Sequence, residues 1–197
     1  MEKDIKDTIV IDEAMGERSE AKDTSPQFVT YILGLRETPA ARSALRRCGS
    51  PVTEYRAYGY LAHWWIDKPY LHKPMCAFAG LVAAVPRLPH DPKVPIGAMA
   101  ASLVHRRVMT EAGVERKLLV MQTSGLTQLV SIVRPLLRAA EREELWVDYA
   151  DLYWILLLAE HPDRARRLRS RQRMLECFYQ TLHSSEANQQ ETSVPQD

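Results

Sequence analysis

Apolar residues recur every three to four positions along most of the chain, and strict alternation is scarce, so the pattern predicts helices and not strands. Residues 26–37 read as one helix. Residues 38–51 read as a second, with Thr38 placed to cap it, Pro39 in its first turn, Gly49 at a left-handed exit and Pro51 stopping continuation. A helix over 52–66 would align Tyr55, Tyr58, Leu61, Ala62 and Trp65 on one face. Residues 74–85 are apolar nearly all round, as a central buried helix requires. Four prolines within 86–95 force a loop, because proline lacks the helical donor and restrains its predecessor. A short helix over 96–107 follows, then a break near Gly113. Residues 114–125 lead into a helix over 126–143, with Ser124 or Thr127 as its cap. Its Leu126, Leu129, Val133, Leu136, Leu137 and Ala140 share a face. Asp148 caps a helix within 147–160, and a last helix runs from about 161 to His183.

The expected fold is all-α, with eight or nine helices in two packed bundles. The first bundle spans 26–110 and the second, carrying a basic face, spans 111–183. Residues 1–25 and 184–197 are polar and poor in aromatics, and are expected to be disordered. No repeat of 20–50 residues is apparent.

Composition narrows the class. With 46% hydrophobic and 26% charged residues, the chain has the balance of an ordinary soluble protein. Its start is acidic where a signal peptide would be basic, and its longest apolar run, 154–159, falls far short of the roughly 20 residues a bilayer span needs. Cys48, Cys76 and Cys177 are scattered and form no C-x-x-C pair, which argues for a reducing cytoplasm and against a disulfide framework or a zinc site. Nucleotide-binding, hydrolase and metalloprotease motifs are absent, and the six histidines are dispersed. The sequence thus predicts no catalytic residue, no metal ligand and no cofactor. The tripeptide His161-Pro162-Asp163 also occurs in J-domain co-chaperones, but the helix before it here is apolar and acidic where theirs is basic.

Charge changes the picture more. The net charge of +1 conceals a basic body, because residues 36–183 hold 22 Lys and Arg against 14 Asp and Glu. Such a body favours a polyanionic partner. Six arginines fall between Arg164 and Arg173. At 100° per residue, Leu168, Leu175, Phe178, Tyr179 and Leu182 form an apolar stripe, with Arg166, Arg169 and Arg173 opposite. Arg164, Arg167 and Arg171 fall on or beside the apolar face. A second stripe, Arg134, Arg138 and Arg142, descends the helix over 126–143. Smaller clusters stand at Arg46 and Arg47, at Arg106 and Arg107, and at Arg116 and Lys117. The planar fork of arginine suits phosphate oxygens, and no base-reading apparatus accompanies it, so binding would be by backbone and shape.

The order of "ALRRCGSP", an aromatic-rich segment, "IGAMAASL", "ERKLLVMQTSGLTQLVSIVRPLLR" and an arginine-rich last helix resembles the CasB-type small subunit of the type I-E CRISPR Cascade complex, over roughly residues 38–182. The resemblance implies an all-helical, non-enzymatic subunit, present as a pair in an antiviral surveillance complex. Its partners would be the other Cascade subunits, the CRISPR guide RNA, the target and displaced DNA strands and a second copy of itself, with no membrane involved. Arg46, Arg47, Arg116, Lys117 and Arg134 match basic positions of that family. Pro135 and residues 122–126 depart from it where further bases are common. Two other readings stay open on the sequence: a helical DNA-binding regulator, and a helical scaffold whose basic face meets an acidic protein.

Overall fold

The computed structural model describes residues 26–50 and 52–191, with side chains as far as Ser184; Pro51, the expected N-terminal segment 1–25 and residues 192–197 of the expected tail 184–197 lie outside the described residues. It is all-α. Among the described residues there are nine α-helices: α1 (26–36), α2 (Pro39–Leu45), α3 (Tyr58–Leu61), α4 (His72–Ala84), α5 (Ile96–His105), α6 (Glu111–Met121), α7 (Leu126–Arg142), α8 (Tyr149–Leu157) and α9 (Arg164–Glu191). The last helix continues past residue 183 to Glu191.

The apolar segment 74–85 becomes the buried core helix α4, in which every residue from Pro74 to Ala83 is buried. Burial there follows from its having no polar face to turn to water. Phe28 of α1 packs on Trp64 (5.2 Å), Tyr153 of α8 (5.3 Å) and Phe78 of α4 (5.8 Å). The proline loop after α4 is pinned by polar contacts. Arg36 Nη1 and the Tyr149 hydroxyl both donate to the Leu88 carbonyl, at 2.7 and 3.2 Å. Asp148 caps α8 as expected, accepting from the Ala150 amide at 2.8 Å. α7 buries the predicted Leu126, Leu129, Val133, Leu136, Leu137 and Ala140.

Helices from both sides of the expected boundary share one apolar core. α5 lies along α9, and Gly97 makes that approach possible. A Cβ at position 97 would stand 2.1 Å from the Met174 carbonyl oxygen and 2.9 Å from the Phe178 amide nitrogen. Asp151 of α8 fixes the start of α5, its Oδ2 accepting from the Ile96 amide at 3.0 Å. Burial pushes the Asp151 carboxyl up from its ordinary range, and the Ile96 bond works against that shift.

α9 buries Arg171, Met174, Phe178 and Leu182. Arg171 is the unexpected member. Its Nη1 donates to the Gln122 carbonyl and its Nη2 to that of Ser124, both at 2.7 Å, with the Ala159 carbonyl at 3.5 Å. These are orphan carbonyls of the α6–α7 turn and of the segment just after α8, so the guanidinium neutralises two helix exits at once. In return Gln122 Nε2 donates to the Arg171 carbonyl at 3.1 Å. Burial, and secondarily the charge of Arg167, lowers the Arg171 pKa, but an arginine stays cationic.

Several local expectations are corrected. Residues 52–66 do not form one helix: α3 is a single turn between 3-10 turns at Glu54–Ala57 and Ala62–Trp64. Ala57 and Leu61 point inward, while Tyr55 and Tyr58 are 59% and 39% exposed. Gly59 weakens the helix there, and the bulky rings find tertiary partners instead, Trp64 on Phe28 and Trp65 on His72. The break expected at Gly113 falls at 106–110, where Arg107 adopts φ 59. Gly113 lies inside α6, donating its amide to the capping Thr110 Oγ1 at 3.2 Å. Neither Ser124 nor Thr127 caps α7. Gly125 stands at that N-cap without a side-chain bond, and Ser124 Oγ donates back to the Val120 carbonyl at 2.8 Å, closing α6. Thr38 holds the N-cap position of α2 without a side-chain bond, and Gly49 takes φ 92 at the exit.

These contacts set the cost of three substitutions. Gly97→Val should destabilise the protein by about 1–3 kcal/mol or more, because the backbone of α9 has to move, whereas Gly59→Ala, with open space around it, should be neutral or slightly stabilising. Arg171→Met should cost about 1–3 kcal/mol for each carbonyl left without a donor. Urea unfolding followed by circular dichroism checks all three, and a neutral Arg171→Met would contradict the assigned role.

Candidate nucleic-acid interface

The arginine run of α9 divides by what each guanidinium touches. Arg171 is buried in the fold. Arg167 donates to the carbonyls of His161 and Pro162, fastening the turn that leads into its own helix. Arg166, expected on the outward stripe, is half-buried and pairs with Asp163 at 3.4 Å. Asp163 is the cap of α9, its Oδ1 accepting from the Ala165 and Arg166 amides at 2.8 and 3.3 Å. Partial desolvation opposes ionisation of that carboxylate, but the two amides and the Arg166 charge outweigh it and lower its pKa. Arg164, Arg169 and Arg173 are exposed. Arg164 thus leaves the apolar face expected for it, while Arg169 and Arg173 take the outward positions expected of them. Arg173 also rims a shallow depression of about 370 Å³ that Lys93, Trp154, Asp148 and Asp151 help to line.

On α7, Arg138 and Arg142 are exposed and consecutive on the outward face, Arg142 Nε donating to the Arg138 carbonyl at 3.3 Å. Arg134 is half-buried on the flank, and its buried Nε has no acceptor among the described residues. A buried donor left unmatched costs free energy unless something outside the chain supplies the acceptor. On α6, Arg116 is exposed and Lys117 half-buried. Arg106 Nη1 donates to the Glu143 carbonyl at 2.7 Å, which sets the exposed Arg106–Arg107 turn beside the end of α7 where Arg142 emerges. Arg46 Nε donates to the Ala83 carbonyl at 3.1 Å at the end of α4, with exposed Arg47 beside it.

Carboxylates pair with few of these cations. Among the basic residues of these clusters, Arg166 alone forms a salt bridge among the described residues. Arg46 and Arg106 are engaged by helix-end carbonyls and Arg173 lies near Asp151, whereas Arg47, Arg107, Arg116, Arg138, Arg164 and Arg169 are exposed, with charge available to an external anion.

One surface feature escaped the sequence. Val52, Tyr55, Ile66 and Tyr70 are 79%, 59%, 72% and 52% exposed, all within one irregular segment, and Leu119 and Val120 are exposed beside Arg116 and Lys117. Exposed apolar groups so concentrated mark protein contact surfaces. The periodicity that hid them assumed 3.6 residues per turn where the chain winds otherwise. Among the described residues no helix is long and apolar enough to cross a membrane.

Comparison with known proteins extends this picture. A chain in a structure described as a "CRISPR RNA-guided surveillance complex" matches with TM-score 0.68 at 18% identity, covering 84% of this chain and 97% of that one. A second, from such a complex in a pre-nicking state, matches with the same figures. The crystal structure of a Cse2-family CRISPR-associated protein from Thermus thermophilus matches with TM-score 0.61 at 19% identity, over 79% of this chain and 97% of that one. Among curated proteins no sequence match is found. The family model described as CRISPR-associated protein Cse2 matches residues 41–179, from α2 through most of α9. The chain belongs to the Cse2 family of CRISPR-associated proteins, the small-subunit family that its sequence resembles.

Proposed function

We propose that this chain acts as a non-catalytic small subunit of a type I-E CRISPR surveillance complex in the cytoplasm, in antiviral defence, and that its arginine faces hold nucleic-acid backbone to stabilise the guide RNA–target DNA R-loop and the displaced strand. The observation that carries the proposal is the set of exposed guanidinium groups on α6, α7 and α9 that form no salt bridge with a carboxylate of the described residues. Its partners are the other Cascade subunits, the guide RNA, the target and displaced DNA strands and a second copy of the chain. The exposed apolar segment 52–70 is the face suited to protein contacts.

The energetics favour such a role. Exchanging a DNA duplex for an RNA–DNA hybrid is nearly balanced in free energy, so modest protein contacts to the backbone tip the exchange. Each phosphate neutralised releases counterions, which adds affinity without reading sequence.

The isolated chain should therefore bind single-stranded DNA weakly, without sequence preference, and less as salt rises. Replacing Arg164, Arg169 and Arg173 with Gln should leave unfolding unchanged and make the salt slope shallower by about 0.7 per lost phosphate contact. Fluorescence anisotropy across a salt series measures the slope, and thermal melting the stability. Tight binding to one duplex sequence that survives high salt would instead favour a DNA-binding regulator.

A further inference from the structure

Residues remote in sequence meet at the start of α4. His72 and Cys76 stand at i and i+4 on that helix, a spacing that puts both on one face. Glu54 reaches them from the 3-10 turn Glu54–Ala57, and one ligand-capable atom from each of Glu54, His72 and Cys76 lies within 4.8 Å of the others. The Cys48 thiol hydrogen bonds with that of Cys76, which sets a second sulfur beside the group. Scattered cysteines and dispersed histidines argue against a metal on the sequence alone, but the fold brings one histidine, one carboxylate and two thiols to a single place.

His72 Nε2 is the atom that points to a ligand. It is buried, has no hydrogen-bond partner and lies 3.7 Å from Glu54 Oε1. That is too long for a hydrogen bond, where N and O sit about 2.7–3.2 Å apart. It is close to the separation of about 3.3 Å that N and O ligands have around one tetrahedral ion with bonds of about 2.0–2.2 Å. The imidazole is held in place by Trp65 at 4.7 Å and Tyr58 at 5.7 Å, and the Tyr58 hydroxyl donates to Glu54 Oε1 at 3.1 Å. An outer hydrogen bond of that kind orients a metal-ligating carboxylate.

The geometry points to Glu54, His72 and Cys76 as a site for a divalent transition-metal ion of the zinc class. Thiolate and imidazole select such an ion over magnesium or calcium, which take oxygen ligands. On binding, Cys76 releases its thiol proton to solvent and ligates through the sulfur anion. The ion would tie the 3-10 turn that leads into α3 to the first turns of α4, stiffening the segment that exposes Tyr55.

Cobalt(II) titration of the reduced, chelator-treated full-length chain tests the assignment. The expected result is a thiolate-to-cobalt charge-transfer band saturating at one equivalent, displaced by zinc(II), with a raised Tm in zinc(II). The band should vanish in Cys76→Ser and persist in Cys177→Ser. Should Cys76→Ser lose its helical circular dichroism, His72→Gln decides: a weakening of cobalt(II) affinity of tenfold or more supports the site, and unchanged affinity overturns it. Absence of the band in the parent, or its survival without Cys76, overturns it as well. None of these readouts involves nucleic acid, so they stand or fall apart from the proposed R-loop role.

Discussion

The buried guanidinium of Arg171 fixes the rotation of α9, and most of what the surface can do follows from that. Its two bonds at 2.7 Å to Gln122 and Ser124 anchor the helix to the α6–α7 turn, while Gly97 lets α5 lie against the same face. With α9 held at these points, Met174, Phe178 and Leu182 must face inward. Arg169 and Arg173 must then face out. A helix turned by a third of a revolution would bury those charges without partners, at a prohibitive desolvation cost. One residue of the basic run thus settles how the others are presented.

The same chemistry recurs across the molecule in two uses. Arg36, Arg46, Arg106, Arg167 and Arg171 all donate to main-chain carbonyls at loops or helix exits. Arg164, Arg169, Arg173, Arg116 and Arg138 carry their charge outward. A basic body therefore need not mean that every base meets a ligand. Part of the positive charge is consumed by the partial negative charge of helix ends, and the remainder is what a polyanion encounters.

Much of this was legible in the sequence, where the signal was periodic burial. The faces of α4 and α7, the Asp148 cap and the outward placing of Arg169 and Arg173 follow from spacing alone. What was not legible depends on contacts between distant segments. The inward turn of Arg171 is set by carbonyls at 122, 124 and 159, and periodicity shows only that it sits on the apolar face, not what satisfies it. The winding of 52–66 is decided by Phe28 and His72, which lie outside the segment. The gathering of Glu54, His72 and Cys76 left one trace, the H-x-x-x-C spacing on α4, and the third ligand has no sequence relation to it.

The most direct test of the proposed role is opening of target DNA by the assembled surveillance complex, read as fluorescence of a base analogue in the displaced strand. A complex carrying Arg169→Gln and Arg173→Gln should retain its guide RNA and subunits and yet open target DNA less stably, the deficit growing with salt. Opening equal to that of the parent complex at every salt concentration would contradict the role, because Arg169 and Arg173 would then carry no strand.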